Sequence, residues 1–271
     1  MDPMSIDLNC DLGELPGAVF DGTQQALMAS ITSANIACGG HAGDDKTMEE
    51  TIRQAMRNGV AIGAHPGFPD RANFGRLPMA MSGAQIAQCV QEQIEALDQV
   101  ARRCGATIGH VKPHGALYNL AARDASIARA IAEGVARWRR DVTLVGLAGS
   151  AMLQGFRELG FDVAGEAFAD RRYEPDGQLR SRRQPDALID DPQAAAEQAL
   201  SIAKFGRVIA VDGSAITLDA RTICLHGDTP GSVRIAAAVA AKLREAGVRL
   251  QALKQGSRKS KRCLRNHIAK P

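Results

Sequence analysis

The stretch TIGHVKPHG, residues 107–115, sets the reading of the whole chain. It is a short apolar run that ends in the ionisable Lys112 and His114, and a helical pattern follows over 124–138. The same order recurs in SIDLNCDLG (5–13), TSANIACGG (32–40), VAIGAHPG (60–67), VTLVGLAG (142–149), FDVAGEAFAD (161–170) and RTICLHGD (221–228). Their helical segments are predicted over 23–30, 45–58, 82–104, 150–159, from Asp191 up to Gly206, and 230–246. Thr47 with Glu50 and Ser82 with Gln85 have capping-box spacing, Asp191-Pro192 opens a helix, and glycines close most of the segments. Seven strand-plus-helix units predict an α/β fold with a mainly parallel sheet, because parallel neighbours need a crossover that a helix supplies.

The strand ends decide between a closed barrel and an open doubly wound sheet. Six of the seven strands finish in polar or ionisable residues: Asn9 and Asp11; Asn35 and His41; His65; Lys112 and His114; Glu166 and Asp170; His226 and Asp228. Only the strand over 143–149 lacks such a group. In a parallel barrel these ends converge on one face, where active sites lie, so a TIM-like β/α barrel of seven strands is expected. The segments 207–211 and 215–218 flank Asp212-Gly213 and predict an added hairpin before the last strand.

Composition fits a globular protein: 271 residues, 45% hydrophobic, 23% charged and 4% aromatic. The net charge of +3 misleads. Seven basic and no acidic residues lie in 254–271, leaving 26 basic against 30 acidic residues in 1–253, a net −4. The expected organisation is one barrel domain over 1–253 and a basic tail over 254–271, disordered and dispensable for folding and activity. The tail lacks interleaved aromatics, so no nucleic-acid partner is expected. The six cysteines show no C-x-x-C pairing, there is no signal-peptide pattern at the start, and no run of about 18 apolar residues occurs. A cytoplasmic protein without membrane contact is expected.

Alternation puts Asp7, Asn9 and Asp11 on one side of the first strand; Asp11 is a functional candidate, with capping of the next turn as its structural alternative. Cys38-Gly39-Gly40-His41 is a glycine-dense turn before a helix, suited equally to an anion or to a tight turn, and it is not a Walker loop. His110, Lys112 and His114 share a face. A lysine there either pairs with carboxylates such as Asp11 or Glu166 or meets an anionic ligand. Arg171 or Arg172 at the sixth strand exit suits a carboxylate or phosphate, and the loop over 174–185 has the length of a lid or partner contact. Asp228 either caps the last helix or joins His226 in the site. Histidines with carboxylates also suit a divalent metal, but no local ligand spacing is present, so the metal stays open.

IDLNCDLGE (6–14), TSANIACGGHAGDD (32–45), VAIGAHPGFPD (60–70), NFGR (73–76), GHVKPHGALYN (109–119), EAFADRRY (166–173) and ICLHGDTP (223–230) together resemble the LamB/YcsF family, described as 5-oxoprolinase A subunits. The resemblance runs over nearly all of 5–253. It implies a seven-stranded TIM-like barrel of the glycoside hydrolase/deacetylase type. It also implies a hydrolase that opens 5-oxo-L-proline to L-glutamate with ATP as co-substrate, Mg accompanying the nucleotide, and partner subunits B and C. The catalytic set expected on it is Asp11, His65, Lys112, His114 and Glu166. Substrate or nucleotide binding falls to Asn9, Asn35, Gly39, His41, Asp170, Arg171, His226 and Asp228. Lys112 and Arg171 would take negative charges, His114 or His65 would do acid/base work, and Asp11 and Glu166 would orient the base or the water. Leu15-Pro16-Gly17 and Gly40 depart from the family pattern, and the tail has no counterpart. The alternative is a stand-alone metal-dependent deacetylase or amidohydrolase using Asp11, His41, His65 and His226.

Overall fold

In chain order the computed structural model contains β1 (Ser5–Leu12), α1 (Pro16–Phe20), α2 (Thr23–Met28), β2 (Ser33–Ala37), α3 (Asp45–Asn58), β3 (Ala61–His65), α4 (Gly83–Arg103) and β4 (Ile108–Val111). These are followed by α5 (Gly115–Arg123), α6 (Ala125–Trp138), β5 (Thr143–Leu147), α7 (Ala151–Glu158), β6 (Asp162–Phe168) and α8 (Pro192–Phe205). The hairpin β7 (Arg207–Ile209) and β8 (Ala215–Thr217) precedes β9 (Thr222–His226), α9 (Ser232–Glu245) and β10 (Arg249–Leu250). The structure describes residues 4–229 and 231–254. The expected tail therefore lies outside the described residues, apart from Lys254.

Strands β1 to β6 and β9 are all parallel, each bonded to the next, and β9 pairs with both β6 and β1. The sheet is thus a closed barrel of seven strands ringed by helices, as expected. The short β10 adds to the start of β1, Ser5 opposite Arg249. In register, Asp11 stands level with Asn35 on one side and His226 on the other, which brings three of the polar strand ends to one height.

The outward faces of the strands carry the apolar side chains. Leu8, Cys10 and Leu12 of β1 join Ile36, Val111, Leu144 and Ile223 in a continuous core with the helices. The capping boxes at Asp44/Thr47 and Ser82/Gln85 are formed; the first starts at Asp44, so the N3 partner of the cap is Thr47 rather than Glu50. Two helices escaped the sequence reading. Pro16 opens α1 inside what reads as a Gly/Pro loop, and α5 begins directly behind His114, where Pro-His-Gly reads as a turn. The hairpin is present, but its connection is wider than two residues: Ala210 N–H donates to Ser214 O at 2.8 Å, with Gly213 at φ 87° between them. Among the described residues, no helix is long and apolar enough to cross a membrane.

Helices α4 and α6 touch at Gly134, where a Cβ would stand well inside contact distance of the Ala87 carbonyl oxygen. Gly134→Ala gains about 1 kcal/mol of helix propensity but overpacks the contact, a cost of about 1–3 kcal/mol. A net loss of stability is expected in urea unfolding, and an unchanged midpoint would show that the two helices can part freely.

Candidate active site

The barrel interior is polar where parallel barrels usually hold branched aliphatic residues. Asp7 accepts hydrogen bonds from the hydroxyls of Thr32, Ser33 and Thr222 at 2.6, 2.7 and 2.6 Å. Burial raises its carboxyl, against the pull of those hydroxyls. One layer up, the Asn9 amide donates to Glu166 Oε1 at 3.0 Å and accepts from Asn35 at 2.7 Å. Asn35 donates to Asp11 at 2.8 Å as well, and its carbonyl oxygen meets His110 Nε2 at 2.8 Å.

Lys112 lies at the centre. Its Nζ is 2.8 Å from Asp11 Oδ1, 2.9 Å from Glu166 Oε1 and 3.0 Å from Cys224 Sγ. Tyr118 donates its hydroxyl to the other Glu166 oxygen at 2.7 Å. Burial works against the ammonium, yet Asp11, Cys224 and Glu166 hold its pKa well above the usual range. Burial likewise works against the Asp11 carboxylate, and His65 and Lys112 outweigh it and hold Asp11 well below the usual range.

Above this layer Glu14, His41, His65 and His114 meet, with one donor atom from each within 4.8 Å of all the others. Hydrogen bonds decide which ring nitrogens carry protons. His65 Nδ1 faces the Lys112 carbonyl at 2.8 Å and His114 Nε2 faces the Phe74 carbonyl at 2.9 Å. A carbonyl only accepts, so both outward nitrogens are N–H and both inward nitrogens carry lone pairs in the neutral rings. Those inward nitrogens lie 3.0 Å apart, and His114 Nδ1 is 3.1 Å from Glu14 Oε1. His65 Nε2 is 3.7 Å from the same oxygen. In the neutral rings three acceptors thus converge, a place for a cation or for a proton; burial works against a charged His65, and Asp11 outweighs it and raises the ring above its usual value.

A tetrahedral ion with bonds of about 2.0–2.1 Å sets its ligands about 3.3 Å apart, close to the 3.0, 3.1 and 3.7 Å that separate the donor atoms of His65, His114 and Glu14. His41 completes the group, with Nε2 at 3.0 Å from Glu14 Oε1, while its Nδ1 is buried without a partner among the described residues. Burial brings His41 down to about 4. Glu14 is held well below the usual carboxylate range because the imidazoles of His114, His41 and His65 around it outweigh its burial. Three imidazoles and a carboxylate suit zinc or a similar transition ion better than Mg, which prefers oxygen ligands.

At the rim, Asp170 fixes His226. Its oxygens take the ring Nδ1 at 3.0 Å and the main-chain N–H at 2.9 Å, and the ring stacks on Phe168 at 5.6 Å. Nε2 takes no part in the bonds to Asp170. Arg171 is 7% exposed; one guanidinium nitrogen donates to the Arg180 carbonyl at 2.6 Å, and its Nε has no partner among the described residues. Burial and the neighbouring Arg182 bring it down to about 10. Asp228 pairs with Arg182 at 3.0 Å and with Arg76. Asp228 does not cap α9, whose N-cap is Gly231.

A cavity of about 200 Å³ opens beside Glu14 and His41, walled by Pro16, Arg71 and Phe74. A larger hollow of about 440 Å³ lies between Thr32 and Arg244–Leu250, away from every strand-end group, and takes no part in this chemistry.

Asn9, Asp11, Asn35, His65, Lys112, His114 and Glu166 therefore form one connected set with His41, and Asp170, Arg171, His226 and Asp228 stand on its rim. Gly39 stands aside, its carbonyl bonded to Arg71 at 2.8 Å. The metal donor set expected for the alternative reading is corrected: His226, drawn to Asp170, groups with Asp11 and Cys224, and Glu14 and His114 join His41 and His65 instead. Glu14, Phe74, Arg76, Tyr118 and Arg182 were missed as site residues. Glu14, Phe74, Arg76 and Tyr118 stood within the family-like motifs, but periodicity cannot aim a residue that lies beyond a strand end.

The closed barrel defines the fold class, a β/α barrel of the deacetylase type. A T48 deacetylase solved with its substrate shares the fold with a TM-score of 0.50 at 19% identity, over 92% of this chain and 87% of that one. The chain belongs to the LamB/YcsF family, which it matches over residues 6–258. It is 53% identical over 245 residues to the A subunit of 5-oxoprolinase from Chloroflexus aggregans, covering 90% of this chain and 97% of that protein. The lactam utilization protein of Thermus thermophilus has a TM-score of 0.86 at 42% identity, over 92% of this chain and 100% of that one.

His110 gives a pH test of the interior. Burial, then Lys112 and His65, bring it down to about 3, so the folded chain holds it neutral. The stability tied to the neutral ring is complete above its unfolded pKa of about 6.5 and is lost as pH falls below that value, at up to about 1.4 kcal/mol per pH unit. His110→Gln, which keeps a donor for Asn35, is expected to flatten the decline between about pH 6.5 and 4.5 in urea unfolding. An unchanged slope would mean that His110 is already protonated in the fold.

Proposed function

We propose that the chain is the A subunit of a multi-subunit 5-oxoprolinase and performs the hydrolytic opening of 5-oxo-L-proline to L-glutamate. The observation that carries this reading is the 53% identity to the A subunit of 5-oxoprolinase from Chloroflexus aggregans, spanning 97% of that protein. The mouth supplies what lactam hydrolysis requires: a carboxylate to take a proton from water, a donor for the departing nitrogen, and a positive group for the substrate carboxylate.

Asp11 is the group for the water. It is ionised, and it lies between His65, whose Nε2 is 3.3 Å away, and the His226 group. His226, oriented by Asp170, relays to the ring nitrogen the proton that Asp11 takes from water, as the C–N bond breaks. Arg171, whose Nε has no partner among the described residues, receives the substrate carboxylate. Lys112 is wholly committed to Asp11 and Glu166, and it serves by keeping Asp11 charged and placed rather than by gripping substrate. Glu14, His41, His65 and His114 would hold a divalent ion, which supplies polarisation of the lactam carbonyl and a more acidic water.

The γ-phosphoryl group of ATP passes to the lactam oxygen and ADP leaves; one water adds to the lactam carbon as the C–N bond breaks, and a second water releases inorganic phosphate from the resulting acyl phosphate. The cavity of about 200 Å³ is small beside the roughly 300–1,000 Å³ of ordinary ligand pockets, and the Gly39 and Gly43 carbonyls are taken by Arg71. Both points favour nucleotide recognition by the partner subunits B and C. The histidine-rich donor set favours a second reading, a metal-dependent amidohydrolase that acts alone.

Reconstitution with both partners tests the assignment: ATP-dependent glutamate formation is expected. Asp11→Asn and His226→Gln should each lower kcat by about 10²–10⁴-fold with the fold intact by circular dichroism. Near-normal turnover by both variants would sink the roles assigned to Asp11 and His226. Turnover of an amide without ATP or partners, abolished by a chelator, would replace the proposal with the second reading.

A further inference from the structure

The two imidazoles that turn lone pairs inward are held from behind in different ways. His65 is fixed by the carbonyl of Lys112 beside the barrel strands, whereas His114 is fixed by Phe74 in the turn over 70–76. That turn is closed on itself. The Asp70 side chain accepts from Asn73 N and Nδ2 at 3.2 and 3.0 Å, and Gly75 N–H donates to the Asp70 carbonyl at 2.8 Å. The next carbonyl, that of Gly75, accepts from Ala116 N–H at 2.9 Å. Two successive carbonyls therefore bracket His114, one on its ring and one on the chain just beyond it.

Phe74 has φ 55° and, among the described residues, is the sole non-glycine residue in the left-handed region. Its ring lies edge-on to His41 and His114 at 5.6 and 5.5 Å, and the Arg76 guanidinium lies over it at 4.8 Å. Arg76 in turn is anchored by Asp228, which also holds Arg182 of the loop behind β6.

We propose that Phe74 is a positioning residue: its left-handed main chain aims the carbonyl that holds His114 as the Nε2–H tautomer, keeping the Nδ1 lone pair turned toward Glu14 and His65. Loss of that carbonyl frees the ring to carry its proton on Nδ1, where it would block ligation. The inference rests on the metal reading above for its consequence, but the tautomer belongs to this chain alone.

Phe74→Asn and Phe74→Val both remove the ring, but asparagine tolerates a left-handed backbone and a β-branched residue does not. In long-range ¹H–¹⁵N spectra of the metal-free protein, His114 of the wild type and of Phe74→Asn is expected as Nε2–H, and Phe74→Val is expected to lose that preference. Titrated with Co²⁺ alone, Phe74→Asn should bind within about threefold of wild type and Phe74→Val about 10–100-fold more weakly. An Nδ1–H tautomer in the wild type, which needs no variant to observe, overturns the proposal. So do equal tautomers and equal Co²⁺ affinities in the two variants. A wild type that shows Nε2–H but binds no Co²⁺ removes the metal reading alone, and the tautomer of Phe74→Val then decides the positioning role.

Discussion

One buried ammonium holds the barrel mouth together. Lys112 is 2% exposed and sits between two carboxylates, Asp11 and Glu166, themselves 7% and 0% exposed. Without it two negative charges would face each other in a region closed to water, and breaking a buried pair by removing one partner costs about 3–5 kcal/mol. The three groups come from β1, from just beyond β4 and from β6, so the pairing spans the barrel. Asn9, Asn35, Tyr118 and Cys224 then take the remaining lone pairs and hydrogens around them. A half-satisfied network here would be worse than an apolar one, which is why nearly every polar atom of the interior has a partner.

Asp11 is the hinge between two kinds of chemistry. On one side it meets His65 and the cluster of Glu14, His41 and His114, whose bare acceptors demand a positive charge. On the other it meets His226, tied to Asp170. Guanidinium groups stand on both sides of the mouth: Arg171 and Arg182 beside β6 and its loop, and Arg76 over Phe74 next to the imidazole cluster.

Much of this was legible in the sequence because a strand writes its two faces as alternate residues. Asp7, Asn9 and Asp11 were read onto one face and do share the interior, and the same holds for His110 and Lys112. The seven units and the ring of polar strand ends followed from the alternation of apolar run and capped helix. What escaped lies beyond the strands. Glu14 stands past Gly13, and Phe74, Arg76 and Arg182 stand in loops whose paths depend on tertiary contacts such as Asp70 with Asn73. Tyr118 belongs to α5, a helix hidden behind a Pro-His-Gly sequence. The donor set for a metal was misjoined for the same reason: residues far apart in sequence meet only after the loops are placed.

The pairing of β9 with β1 carries a consequence for the time course of folding. Lys112 finds Asp11 across 101 residues, Asn9 finds Glu166 across 157, and Asn9 finds Thr222 across 213. Lys112 can meet Asp11 once β4 is made, but Glu166 joins only with β6, and the Thr222 hydroxyl reaches Asp7 and Asn9 only with β9. A nascent chain leaving the ribosome amino end first therefore completes the network around Asp7 only when nearly all of the barrel has been made. Contacts of such long range are slow to form, and the barrel is expected to close late and in one cooperative step.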